Sequence, residues 1–363
     1  MEEGRISSSQ LTLLVISFLF GTSLLLSPGR GAGQDSWLAT LLGLGEGFIF
    51  ALLNLALYNR FSGQSLVEIN ELVWGPIIGK FFSAAFLWYL FHLGSSGFAI
   101  FVTLLKTAIF MVTPEYILLV TGLITCIYTC KQGIEVISRM NEVLLFSTLF
   151  LFAFSLFLML NIFEPKNLLP VLDLPVKKLL WVAHGTATFP FGQIIALAMV
   201  WPFLNETEQY RKSLFKGLIV AGIILILGEI RTGAVLGKIS GFYVFPTYEA
   251  YRMINIAGVL TRLELIPVLN FLTMGFIKAS ILLYATSLGT AQMLKLRTYR
   301  PLVFPLGVLM IILAAQNYAN ISQHLEFTEN IHPLYALPFQ VILPLITLLM
   351  ALIRGFPKQE VSK

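Results

Sequence analysis

Apolar runs long enough to cross a bilayer recur along almost the whole chain, separated by short clusters of glycine, proline and charge. Crossing about 30 Å of hydrocarbon takes roughly 18–25 apolar residues in helical form. Hydropathy set against those breaks predicts ten spans, over 9–30, 36–59, 80–111, 114–130, 138–163, 180–203, 213–236, 262–293, 301–318 and 332–354. The third and eighth exceed what a bilayer needs, which implies tilt or extension past the surface. Cut after the fifth span, the chain falls into two halves of five, about 9–163 and 180–354, with the long spans in equivalent places. An odd number of spans per half makes the second half enter from the opposite side. The expected architecture is therefore an all-α polytopic membrane protein, one transmembrane domain over 1–363 built as a 5+5 inverted repeat.

Two of these spans, the first and the sixth, are interrupted at corresponding depths. The first reads FLFGTSLLLSPGRGAG over 18–33, and the sixth contains HGTATFPFGQ over 184–193. Helix-poor residues there free backbone amides and carbonyls that lipid cannot satisfy, so such a break persists only where it is buried in protein or lines a polar cavity. A broken pair in equivalent positions of two halves marks a transporter-like binding pocket. Gly21, Thr22 and Ser23 mark the expected break in the first span, followed by Ser27, Pro28 and Gly29; Thr186, Thr188, Phe189, Pro190 and Gly192 mark the one in the sixth. Amides at a half-helix N-terminus attract a carboxylate and freed carbonyls suit an ammonium or a cation, which is the chemistry of amino-acid recognition. Small residues at these positions can also serve only to let helices approach closely.

Composition agrees with a membrane solvent. Hydrophobic residues make up 57% of the chain against 12% charged, far from the roughly 25% charged make-up of a soluble domain. The first span lacks a basic leader and a small-residue cleavage site, so it is expected to stay in the mature chain. The net charge of +5 fits cytoplasmic Lys and Arg better than a nucleic-acid footprint, since no aromatic-interleaved basic stripe accompanies it. With the N-terminus inside, the inner loops carry Arg60, Lys80, Lys131, Arg139, Arg211, Lys212, Lys216, Lys295, Arg297, Arg300, Arg354, Lys358 and Lys363; the outer side keeps Arg30, Lys166, Lys177, Lys178, Lys238, Arg252 and Arg262. That bias places both termini inside. The outer loop 237–261 is the longest, and its aromatic stretch GFYVFPTYEAYRMINI predicts a short surface helix.

Ionisable residues within the spans are few and costly in lipid, so each should face protein or water: Glu46, Lys106, Glu229, Arg231 and Lys278. An ammonium at Lys278 could replace a coordinating cation, fix a substrate carboxylate or a pocket carbonyl, or simply pair with Glu46. Glu229 and Arg231 lie near enough to a helix end to snorkel, and a structural role is expected. Gly94, Ser95, Ser96 and Gly97 beside Phe98 form a small polar surface at mid-depth, and Ser280, Tyr284 and Thr286 add hydroxyls on the eighth span. His92 and His184 stand alone in the sequence and are expected to be packed or interfacial. Cys126 and Cys130 lack acidic or histidine neighbours at metal-ligand spacing and are expected to act as small packing residues. No nucleophile elbow, phosphate loop, zinc-protease helix or kinase motif occurs, so no catalytic residue, metal or cofactor is expected.

The order and spacing of FGTSLLLSPG at 20–29, EGFIF at 46–50, NLLPVL at 167–172, FPFGQ at 189–193, WPFLNE at 201–206, FPTY at 245–248 and TRLE at 261–264 resemble a known family. It is the B subunit of the GerA-type spore germination receptors, within the amino acid/polyamine/organocation permease superfamily. The resemblance implies a ten-helix LeuT-like fold with discontinuous helices 1 and 6, in the inner membrane of bacterial endospores with both termini on the core side. There the subunit would sense a small nutrient beside a membrane A subunit and a lipoprotein C subunit. It places Gly21 on the unwound first helix, Phe189 to Gly192 on the unwound sixth, and Arg262 with Glu264 on a structural or coupling pair opening the eighth. Relatives carry an acidic residue where this chain has Gln193, which puts ion coupling at that position in doubt. The expected function is nutrient sensing, with an amino acid bound between helices one, three, six and eight; the alternative is a secondary amino-acid transporter coupled to protons or sodium.

Overall fold

In the computed structural model, residues 4–254 and 262–356 are described. Thr261, Lys358, Lys363 and the end of the long outer loop lie outside them.

Local sequence sets where the helices begin and stop. Ser7 opens α1 (Ser8–Leu26) with a capping box, its hydroxyl accepting from Gln10 N–H while the Gln10 side chain reaches back to Ser7 N–H. After α2 (Ser36–Arg60), a second box between Ser65 and Glu68 opens α3 (Leu66–Ala108). Gly75, at φ 82° ahead of Pro76, splits a short first piece from the long remainder of α3, because proline cannot donate to the turn before it. Gly133, at φ 95°, forms the corner between α4 (Glu115–Gln132) and α5 (Ile134–Leu158). Then come α6 (Val176–Thr188), α7 (Tyr210–Leu236), the short outer helix α8 (Pro246–Arg252), α9 (Leu265–Met293) and α10 (Arg300–Gln316). The last helix, α11 (Ile321–Ile353), carries π-type turns at Phe327–Ile331 and Pro338–Ile342.

Seven of these segments are long and apolar enough to cross a membrane. The ten expected crossings are completed by α4, with 18 residues, α10, with 17, and the broken sixth crossing, α6 and the 3-10 segment Phe191–Met199. The protein is an integral membrane protein. Burial separates its helices into two layers: the most apolar stretch of α1 is 78% buried and those of α3 and α9 61%, against 28% for α5 and 33% for α11. α5 accordingly shows Val143, Phe146, Phe150 and Phe157 on its outside, where lipid is the natural solvent. The tenth crossing begins about ten residues earlier than hydropathy indicates, because the stretch around His324 and Glu329 is polar yet folds back onto the bundle.

The two ends of the bundle differ. At the N-terminal end, Ile6 pairs with the strand-like stretch after the sixth crossing: Ile6 N–H donates to Phe203 O at 2.9 Å and Asn205 N–H to Ile6 O at 3.0 Å. Beneath that pairing, Trp201 Nε1 donates to Tyr210 OH at 3.0 Å, and Tyr58 packs on Tyr210 at 3.9 Å between ring centres. At the opposite end the connecting segments 30–34, 173–182, 238–242 and 325–330 surround a vestibule of about 500 Å3. Arg30 spans its rim, paired with Glu329 at 2.5 Å. The short helix expected in the 237–261 loop is α8, and residues 255–261 lie outside the described part.

A candidate ligand cavity at the broken sixth helix

The sixth crossing breaks where proline makes continuation impossible. α6 ends at Thr188, Phe189 is extended at φ −139° and ψ 107°, and the chain passes through a cis Phe189–Pro190 bond into 3-10 geometry. The last crossing holds the break in place. Gln340 Nε2, on α11, donates to Thr188 O at 2.9 Å and to Tyr89 OH of α3 at 2.6 Å. Gly192 faces the same amide so closely that a Cβ there would sit 2.1 Å from Gln340 Oε1.

The first crossing breaks later than its sequence suggests. α1 runs through Gly21, Thr22 and Ser23 to Leu26, and leaves helical geometry at Ser27, at φ 52°. It turns through Pro28–Gly29 into a 3-10 segment, Arg30–Asp35. The carboxylate of Glu229, buried on α7, accepts from Gly29 N–H at 3.2 Å and so caps this turn. Gly21 serves another purpose: a Cβ on it would lie 2.3 Å from Cδ of Lys278 and 3.0 Å from Lys278 Cβ. The glycine makes room for the lysine stem of α9, and for that reason the helix need not open there.

Between α1, α3, the sixth break, α9 and α11 lies a cavity of about 80 Å3. Its lining includes Thr22, Gly97, Phe98, Phe189 and Lys278 of the expected site, together with Gly94 and Ser96. Lys278 is buried; its Nζ donates to Gln193 Oε1 at 2.6 Å and stands 5.2 Å from the Phe18 ring centre and 5.3 Å from that of Phe189. It does not pair with Glu46, which instead meets His184 Nδ1 at 2.7 Å across the α2–α6 contact. Gly97 points at free space, with no atom within 4 Å of where its Cβ would be. Leu26, Phe189 and Thr328 line both the cavity and the vestibule, and so form the partition between them.

Other expected site residues fall outside the lining. Thr186 Oγ1 donates to Ala39 O at 3.1 Å and Ala183 O at 2.8 Å, against Gly43 of α2, so it joins two helices. Thr188 Oγ1 donates to Gly185 O at 3.0 Å. Ser23 is buried away from the cavity, and Gly192 packs on Gln340. Tyr284 lies deeper, its ring edge-on to Tyr299 at 5.2 Å. Arg262 and Glu264 form an ion pair at 3.7 Å beside the start of α9. Glu229 and Arg231 do not snorkel. Both are 3% exposed, and Arg231 is held by Ser155 Oγ at 2.9 Å, Tyr251 OH at 3.1 Å and the faces of Phe152 and Tyr251.

Three lining residues have no local sequence signal. His92 from α3 and His324 and His332 from α11 border the cavity, with Tyr318 stacked on His324 at 4.0 Å and Phe327 edge-on to His92 at 5.6 Å. His92 stands alone in sequence but not in space. α4 also contributes, through Gly122 and Cys126. Among the described residues no group of His, Cys, Asp or Glu is arranged to hold a metal ion.

A family described as "Spore germination protein" matches residues 5–322 of the chain. Spore germination protein KB of Bacillus subtilis (strain 168) is 31% identical over 97% of this chain and 95% of its own length. Spore germination protein YndE of the same organism is 23% identical over 85% of each. Among solved structures, MhsT in complex with L-phenylalanine superposes with a TM-score of 0.62 at 12% identity, over 97% of this chain and 99% of that one. MHP1, a nucleobase-cation-symport-1 family transporter in a closed conformation with bromovinylhydantoin bound, gives 0.61 at 12% identity over 94% and 78%. At such identity these likenesses speak for the fold alone, which is that of the LeuT-like transporters.

Proposed function

The chain belongs to the spore germination protein family, and on that premise we propose that it is a non-enzymatic, nutrient-sensing subunit of a germination receptor. A small nutrient, an amino acid on the chemistry of the two broken crossings, binds in the cavity between the sixth break and Lys278. Binding stabilises one of two transporter-like conformations, which requires unequal affinity for the two. Partner subunits, a larger membrane A subunit and a lipoprotein C subunit, read that shift. The setting is the spore inner membrane with both termini on the core side, in keeping with the Lys and Arg bias of the loops.

The cavity's position carries this reading. It is walled by the sixth break and α1, the pair of discontinuous crossings expected to frame a transporter-like pocket, and it adjoins a vestibule on one side. Gly97 allows a clean test, because it lines the cavity and a Cβ added there meets no atom within 4 Å. Spores carrying Gly97→Val, with subunit level checked by immunoblot, should need at least about tenfold more nutrient. An unchanged dose response at normal level overturns the cavity as the sensing site. The one-sided vestibule also fits a transporter, and nutrient uptake into vesicles holding this chain alone would favour that second reading.

A further inference from the structure

The face that α2 and α6 turn away from the bundle carries an ionisable pair that acyl chains cannot solvate. Charged side chains within a span should face protein or water. Of the five ionisable residues within the expected spans, Glu229, Arg231 and Lys278 are buried. Lys106 sits in the last turn of α3, paired with Glu115 at 2.8 Å. Glu46 is neither buried nor near an end. It stands ten residues beyond Ser36 in α2, about 15 Å along the helix axis. The Glu46 side chain is 32% exposed and that of its partner His184 22%. Neither residue lines the cavity or the vestibule.

The surroundings of the pair form a seat for a helix. Leu41, Gly45, Ile49 and Leu52 of α2 are exposed at spacings of four, four and three, which puts them on one stripe. A Cβ on Gly45 would meet no atom within 4 Å, so another backbone can approach closely there. Leu180 and Trp181, four and three positions before His184, are exposed on the same side of α6. Glu46 Oε1 meets His184 Nδ1 at 2.7 Å, while no bond to Oε2 is found among the described residues. By contrast, α5 turns Val143, Phe146, Phe150 and Phe157 outward, the apolar surface that suits lipid.

We propose that this face seats a transmembrane helix of another subunit, one that presents a hydrogen-bond donor to Glu46 Oε2 within the membrane. Acyl chains offer no donor. A second copy docked about a twofold axis would bring its own Glu46 to the stripe, carboxylate against carboxylate. Of the partners proposed above, the membrane A subunit is the one with helices at this depth, and naming it rests on that receptor reading. The seat also reaches the sensing site. His184 lies four residues before Thr188, where α6 ends at the break, and the next residue, Phe189, lines the cavity. A helix seated here therefore touches the same half-helix that a bound nutrient would touch.

Photo-crosslinking in spore membranes tests this, with benzoylphenylalanine placed in the full-length chain at Ile49, on the stripe, or at Phe150, on α5. Ile49 should give an adduct that antibodies to the A subunit recognise, and Phe150 should not. Glu46→Leu should cut the Ile49 adduct at least about threefold at a normal level of the chain, the weakening that loss of one interhelical hydrogen bond brings. Any of four results would overturn the proposal: no A-subunit adduct at Ile49, an Ile49 adduct joining two copies of this chain instead, equal A-subunit adducts from both sites, or an adduct undiminished by Glu46→Leu. If Glu46→Leu does not accumulate, the comparison of Ile49 with Phe150 decides alone. The receptor reading fails separately, if Gly97→Val spores germinate normally or the chain alone takes up nutrient into vesicles.

Discussion

Replacing Gly21 by Ala sets two effects of opposite sign against each other, and the structure says which wins. In a helix that merely tolerates glycine, alanine is favoured by about 1 kcal/mol. Here the added Cβ would meet Lys278 at 2.3 Å from Cδ, 3.0 Å from Cβ and 3.2 Å from Cγ. Carbon atoms prefer separations of about 3.5–4.0 Å. Cδ can swing aside, but Lys278 Cβ is fixed to the backbone of α9, so the lysine must change rotamer or α1 and α9 must part. Overpacking of this kind costs about 1–3 kcal/mol. Dragging Nζ from Gln193 Oε1 leaves buried polar groups unpaired, for another 1–3 kcal/mol or so. Less the helix gain, Gly21→Ala should destabilise the protein by roughly 1–5 kcal/mol. The measurement is the unfolding equilibrium of purified protein in mixed micelles as denaturing detergent is raised. In a Lys278→Ala background most of the obstructing stem is gone, so the same substitution should cost at least about 1 kcal/mol less, a coupling typical of residues in contact. Gly21→Ala that stabilises the unaltered protein, or that costs the same in both backgrounds, refutes the account of this glycine as a space for Lys278.

Gly192→Ala puts its Cβ 2.1 Å from Gln340 Oε1; a loss of about 1–3 kcal/mol is expected in the same unfolding assay, relieved by Gln340→Ala. Thr186→Val removes a hydroxyl that ties α6 to Ala39 of α2, so stability should fall by about 1 kcal/mol while the nutrient dose response stays put. Glu329→Ala breaks the pair with Arg30, whose partner carboxylate is 42% exposed, and should change stability by less than about 1 kcal/mol. It should nevertheless speed thiol labelling of a Thr328→Cys reporter on the partition between vestibule and cavity, and equal labelling rates would show that the ion pair does not restrict the rim.

Much of the architecture was legible from periods and breaks. The helix count, the membrane setting, the break at Phe189–Pro190 and the length of the third and eighth crossings all follow from hydropathy and from proline's missing N–H, which act over a few residues. The capping boxes at Ser7 and Ser65 rest on equally local chemistry, a serine followed three residues later by Gln or Glu, but the expected spans were drawn without them. The family resemblance added the LeuT-like arrangement, with which the superpositions agree.

Which side chains meet was a different matter. Gly21 and Gly192 read as helix breakers, yet each is a space for a side chain from another helix, Lys278 and Gln340, 257 and 148 positions away along the chain in the first case counted from α1 to α9 and in the second from the sixth crossing to the last. Thr186 and Thr22 look alike in sequence, but one bonds a neighbouring helix and the other borders the cavity, because rotation of a helix about its axis decides the face presented. His92, His324 and His332 come together only when α3 and α11 pack. Which segments cross the membrane, and where proline interrupts them, depends on solvent and on local backbone chemistry, and so could be read along the chain. That Lys278, with no carboxylate partner among the described residues, stands at the break in a cavity shared with three imidazoles depends on contacts between helices far apart in the chain, and emerged only from the fold.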